Sequence, residues 1–160
     1  MFSILMLLKR GIFLTEKLKV KISKIKENAI TPCYAHKNDA GVDLYSTEDY
    51  VIKPGQIVLV STGIRMAIPP GYEGQTRPKS GLALNHGISI CNSPGTIDSG
   101  YRGEVRIIAI NHGDKEFKIE KETKIAQMVF NKIETAEFEE VEELDNTTRG
   151  QNGFGSTGLN

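Results

Sequence analysis

What most limits the folds open to this chain is its punctuation. From Pro54-Gly55 onward, turn-forming residues recur at short intervals: Gly63, Pro69-Pro70-Gly71, Gly74, Gly81, Gly87, Pro94-Gly95, Gly100, Gly103 and Gly113. Proline removes a backbone donor, and an interior glycine costs a helix about 1 kcal/mol relative to alanine, so no long helix fits between such marks. Short β-type runs fit instead. KLKVKI (17–22) has an apolar residue at every second place, as do GIRMAI (63–68) and KEFKIE (115–120). QIVLV (56–60), EVRIIAI (104–110) and IAQMVF (125–130) are rich in β-branched and apolar residues. Alternation sends successive side chains to opposite faces of a strand. With no repeat at a solenoid period, the pattern predicts an all-β sandwich or barrel. A length of 160 residues favours one domain.

Two stretches depart from the strand pattern. LALNH, after Gly81, has room for one helical turn. TAEFEEVEEL (135–144) spaces Phe138, Val141 and Leu144 three apart, which is helical, yet Glu137, Glu139, Glu140, Glu142 and Glu143 crowd around them. Its context among strands favours reading it as a strand.

Charge narrows function. Twenty basic residues balance twenty acidic ones, which argues against a nucleic acid polymer as partner, since such binders need a cationic excess. A small anionic ligand held by a few local groups remains open. Cys33 and Cys91 show no CxxC or metal spacing, and His36, His86 and His112 are scattered. The cysteines read as two buried, reduced thiols of a cytoplasmic protein in preference to one disulfide. The apolar run Phe2–Leu8 is cut by Lys9 and Arg10. It is far short of the roughly 20 residues of a membrane span, and its charges follow the run where a secretory signal has them before it. The expected organisation is an N-terminal extension over 1–16, disordered or loosely packed and without a membrane role. A β domain follows over 17–145, then a flexible Gly-rich segment over 146–160.

Five clusters carry residues that packing does not require: AGVDLYS (40–46), RPKSGLA (77–83), NSPGTIDSGYRGEV (92–105), KIAQMV (124–129) and RGQNGFGSTG (149–158). Asp98 in TIDSGYRG is either a carboxylate on an open hairpin edge, placed to act as a general base on water, or the cap of a β-turn. RPKSGLA is either a phosphate cradle of cations, hydroxyl and turn N–H groups or a solvated loop. The terminal GFGSTG lacks the Lys of a Walker loop and has no helix after it. Its glycines let backbone approach a polyphosphate, Arg149 can fork onto phosphate oxygens and Phe154 can cover a flat ring.

In this order the five clusters resemble the five motifs of the homotrimeric dUTP pyrophosphatases (dUTPases), over about Leu18 to Gly158. The resemblance implies a β jelly-roll subunit in a homotrimer, with active sites at subunit interfaces. It also implies hydrolysis of dUTP to dUMP and pyrophosphate with Mg²⁺, which clears dUTP from the nucleotide pool and supplies dUMP for dTMP synthesis. By the same resemblance, Asp98 activates the water that attacks the α-phosphorus, and Tyr101 packs under the deoxyribose. The hairpin through Asn92, Gly95, Thr96, Ile97 and Asp98 forms the uracil pocket. Asp43 holds metal-bound water in an outer shell. Arg77, Lys79, Ser80 and Gly81 belong to a phosphate-binding loop. Gln127 lies near the phosphates and the attacking water, and Arg149 acts as a finger on the γ-phosphate. Phe154 and Gly155 belong to a lid over uracil, with Ser156 and Thr157 on phosphate.

Three positions depart from the family pattern. Lys79 and Lys124 stand where Arg is usual, keeping charge without the planar fork. Asn152 stands where Gly is usual, and Asn tolerates left-handed backbone better than most residues. Two rival functions belong to the same scaffold, a catalytically silent nucleotide sensor that binds a partner protein and a dCTP deaminase. The intact Asp98, Tyr101 and tail argue against the sensor, and a deaminase needs an acid/base group for the exocyclic amine and lacks the full set of these motifs.

Overall fold

A computed structural model describes residues 17–156. The expectation of a loose extension over 1–16, and the role given to Thr157, lie outside the described residues. The elements are β1 (Lys21–Lys24), β2 (Gly41–Tyr45), β3 (Tyr50–Ile52), β4 (Ile57–Ala67), β5 (Tyr72–Arg77), α1 (Ser80–His86), β6 (Ile88–Ile90), β7 (Gly95–Ile97), β8 (Glu104–Asn111), β9 (Phe117–Ile119) and β10 (Lys124–Lys132). They form two four-stranded antiparallel sheets, ordered β1-β4-β8-β6 and β2-β10-β5-β7, with a small β3-β9 ribbon. The expected all-β jelly-roll-type sandwich is what the chain adopts.

Its core follows from the alternation. In β8, Val105, Ile107 and Ala109 are buried, and Glu104, Arg106 and Ile108 between them are not. Leu44, Ile52, Val60, Ile64, Ile68, Ile119 and Met128 close the interior from the facing elements. Full burial of one such side chain contributes about 1.5–3 kcal/mol.

Where sequence reasoning placed two runs, QIVLV and GIRMAI, the structure has the single long strand β4. The glycine between them is a bulge, not a turn. The register of β4 against β8 shifts between Ser61 and Arg65. Gly63 has φ +67°, and a Cβ there would come within 2.8 Å of Thr47 Cγ2 and 2.9 Å of Ala29 Cβ. Its N–H donates to Glu104 Oε1 at 2.8 Å, so the backbone donor displaced from the ladder is satisfied by a side chain.

The short helix foreseen at LALNH is α1. It ends at Gly87, whose left-handed backbone (φ 67°) lets its N–H reach the carbonyls of Ala83 and Leu82.

Two expectations fail. Residues 135–144 form no strand and pair with no other strand among the described residues. Phe138 is 92 % and Leu144 84 % exposed. The clustered glutamates repel along any regular element, and nothing described in this chain covers the apolar side chains. The cysteines are free, but exposed where buried thiols were expected. Cys33 lies in the loop before β2, and Cys91 follows β6 where the chain leaves the sheet.

Candidate active site

Strand β10 has β2 on one side and β5 on the other, and its register aligns three of the candidate residues. Gln127 lies opposite Asp43 of β2 and opposite Arg77 of β5. Antiparallel partners project from the same face of a sheet. The neighbouring row of Val42, Met128 and Thr76 is buried on the core side, so Asp43, Gln127 and Arg77 take the other face. Residues drawn from three separate clusters thus become a row.

Asp43 anchors that row. It is only 5 % exposed, and both of its carboxylate oxygens face lysines. Lys79 Nζ donates to Oδ1, and Lys124 Nζ lies 2.7 Å from Oδ2. Burial alone would raise the pKa of this carboxyl, but the hydrogen bonds and charges of Lys124 and Lys79 hold it below the ordinary aspartate value. Asp43 in turn raises the Lys124 ammonium above the usual lysine value.

Gln127 Nε2 donates to the carbonyl of Pro78 at 2.9 Å, tying β10 to the loop that carries Lys79. Gly41 leaves space for that amide, since a Cβ there would sit 2.5 Å from Gln127 Oε1. Asp39, Gly41, Asp43, Lys79, Lys124 and Gln127 help line a cavity of about 360 Å³. Ser80 and Gly81 follow Lys79 directly and are exposed at the start of α1.

The second group lies on the hairpin that crosses between the sheets. β6 pairs with β8 in one sheet, and β7 pairs with β5 in the other. The crossing is tight at Gly95, where a Cβ would run into Thr76 Oγ1 and lie 3.1 Å from Asn92 Nδ2. Thr76 Oγ1 donates to the Gly95 carbonyl at 3.3 Å. Beyond β7 the chain turns at Asp98, whose carbonyl accepts from Tyr101 N–H at 3.1 Å.

Asp98 opens a β-turn through its backbone while its side chain stays exposed. That carboxylate makes no hydrogen bond or ion pair among the described residues. Tyr101 OH donates to the Glu104 carbonyl at 3.0 Å, which fixes the ring beside Asp98. Thr96, Ile97, Asp98, Tyr101 and Arg106 line a cavity of about 250 Å³ together with residues of β4 and β8.

The described part of the tail, 149–156, makes a third group and lines neither cavity. Arg149 Nε donates to the carbonyl of its own neighbour Asn152 at 3.0 Å, and Ser156 N–H donates to Gly153. Phe154 is fully exposed. The left-handed positions are Gly150, Phe154 and Gly155. Asn152 is not among them, so its departure from glycine carries no backbone strain here.

One chain thus brings Asp43, Lys79 and Gln127 to one cavity, with Ser80 and Gly81 adjoining and Arg77 in the same strand row but donating to Gln75 Oε1. It separately gathers Asn92, Gly95, Thr96, Ile97, Asp98 and Tyr101. It does not unite these groups with each other or with Arg149, Phe154, Gly155 and Ser156.

Sequence reasoning missed two residues. Lys124 was seen only as a departure, and its approach to Asp43 needs the β2–β10 register. Arg106 stood in no motif, and its outward place between Val105 and Ile107 was the only signal.

The family model described as dUTPase matches residues 27–158. The chain belongs to the dUTPase family. Its curated relatives include the deoxyuridine 5'-triphosphate nucleotidohydrolase of Clostridium acetobutylicum, 57 % identical over 142 residues, which span 89 % of this chain and 98 % of that one. The enzyme of the same name from Clostridioides difficile is 54 % identical over 140 residues, 88 % of this chain and 98 % of the relative. Among dUTPases of known structure, a mutant from Staphylococcus bacteriophage 80alpha with dUpNHpp superposes with a TM-score of 0.82 at 30 % identity, covering 88 % of this chain and 99 % of the other. A mutant from phage phi11 of S. aureus, described with a structural Mg(II) ion, gives 0.73 at 28 %, covering 78 % and 97 %.

Proposed function

We infer that this dUTPase-family chain hydrolyses dUTP to dUMP and pyrophosphate. The observation that carries the reading is the unengaged carboxylate of Asp98, held beside Tyr101 at the mouth of a cavity on a chain with the family's complete motif order. Asp98 accepts the proton of a water whose oxygen attacks the α-phosphorus, and the bond to the bridging oxygen breaks to release pyrophosphate. Tyr101, pinned to the Glu104 carbonyl, offers a flat ring to the deoxyribose and leaves no space for a 2′-hydroxyl. The hairpin through Asn92, Gly95, Thr96 and Ile97 offers amide and backbone groups to uracil. Arg77, Lys79, Ser80 and Gly81 receive the phosphates, and Gln127, fixed by Pro78, positions the water. Arg149, Phe154, Gly155, Ser156 and Thr157 close over the substrate.

The residues present fit Mg²⁺. Asp39, Asp43 and Gln127 line one cavity, and a few oxygen donors of this kind suit a cation that keeps most of its waters. Bound Mg²⁺ would offset charge on the triphosphate; Asp43 would hold its waters.

The active unit is a homotrimer in the cytoplasm. Support for assembly comes from the exposed Phe138, Val141 and Leu144, and from tail residues 149–156, which line neither cavity. Among the described residues no helix is long and apolar enough to cross a membrane.

Pyrophosphate release from dUTP with Mg²⁺ tests the reading. Asp98→Asn keeps the shape and loses the base, so kcat should fall by about 10²–10⁴ while KM changes little. Nucleotide binding without turnover in the native chain would instead identify a sensor, and ammonia release from dCTP a deaminase.

A further inference from the structure

Lys79 and Lys124 come from different clusters and meet on one carboxylate. Each oxygen of Asp43 carries one ammonium group. The cavity they line also holds Asp39, whose Oδ2 accepts the backbone N–H of His36 at 2.8 Å. Two lysines thus balance two carboxylates, and a free divalent cation meets a neutral pocket whose most buried acid is already paired on both sides.

We propose that Lys124 is a positioning residue that keeps Asp43 closed to a free divalent cation and yields it only to a metal–nucleotide complex. This rests on the reading of Asp43 as a holder of metal-bound water. The exchange balances charge. A bound triphosphate would draw the ammonium groups of Lys79 and Lys124 onto its oxygens, and the Asp43 carboxylate they leave would hold the waters of a metal arriving with the nucleotide. Neither half is favourable alone, because a bare metal would strand two ammonium groups and a bare nucleotide would strand a buried carboxylate.

Lys124 is the more exposed partner of the two. Its side chain is 46 % exposed against 29 % for Lys79. Lys79 is held in the short loop between β5 and α1. Lys124 sits at the start of β10, with its Nζ 5.9 Å from the Tyr45 ring centroid, a second attractive contact beside the carboxylate.

Mn²⁺ binding followed by the EPR signal of the free ion tests this without any turnover. In the full chain without nucleotide, Mn²⁺ binding should be weak, and an unhydrolysable dUTP analogue should make it tight. Lys124→Met should bind Mn²⁺ without nucleotide at least tenfold more tightly than the native chain, and adding Asp43→Asn should remove that gain. Lys124→Gln is a second probe and should behave as Met does. If the native chain binds free Mn²⁺ through Asp43 as tightly as the Lys124 variants, or if the variants gain nothing, the proposal is wrong. If Asp43→Asn leaves Mn²⁺ binding with the analogue unchanged, the fault lies instead in the underlying reading of Asp43.

Discussion

Asp43 shows how far a single residue can be read from sequence and where such reading stops. Its cluster, AGVDLYS, marked it as functional, but its two partners lie 36 and 81 positions along the chain. Only strand register brings them to its oxygens. Read linearly, Lys79 and Lys124 were weaker versions of arginine; in three dimensions they are counter-ions for one buried acid. A pH dependence follows. The folded pKa of Asp43 is depressed, so its stabilising contribution is present above the ordinary aspartate value near 3.9 and is lost as pH falls through the lower folded value. Asp43→Asn should lower stability at pH 7 by about 1–3 kcal/mol, the range for a buried charge-assisted hydrogen-bond set. The variant should lose less than the native chain on acidification below pH 4. Urea unfolding midpoints at pH 7 and pH 3 check both parts; equal acid sensitivity in the two chains would contradict this account.

Among elements, β4 and the 135–144 segment show opposite errors of local reading. In β4 the glycine signal was real but marked a bulge, because a residue at φ +67° with its N–H on Glu104 continues a strand as readily as it ends one. Gly63→Ala combines unfavourable backbone with contacts under 3 Å to Thr47 and Ala29. It should cost about 1–3 kcal/mol in denaturant unfolding, while kcat of the folded protein stays near native. A loss under about 0.3 kcal/mol would mean the bulge relaxes freely. Over 135–144 the apolar spacing promised a regular element, but the crowded glutamates repel along one and no described strand pairs with the segment. Strands β8, β9 and β10 were legible because apolar patterning is a local property, whereas β5 (YEGQTR) carries too few apolar residues to have been read as a strand.

For the whole molecule, the clusters gave the family and the candidate residues, but not that one chain leaves the described ones in three separate groups. If neighbouring copies complete the site, truncation before Arg149 should preserve the oligomer mass in light scattering while lowering kcat by at least about tenfold. Mixing that truncated chain with full-length Asp98→Asn under subunit exchange should restore part of the activity, because each supplies what the other lacks. No recovery from the mixture would place base and tail in the same chain's site.

The central claim is that Asp98 primes the water that attacks the α-phosphorus. The most direct test is a crystal structure of this chain with Mg²⁺ and dUpNHpp. The account predicts an ordered water within about 2.6–3.2 Å of an Asp98 carboxylate oxygen and in line with the α-phosphorus and its leaving oxygen. An Asp98 carboxylate turned away from the phosphates, with the in-line water held by another residue, would contradict it.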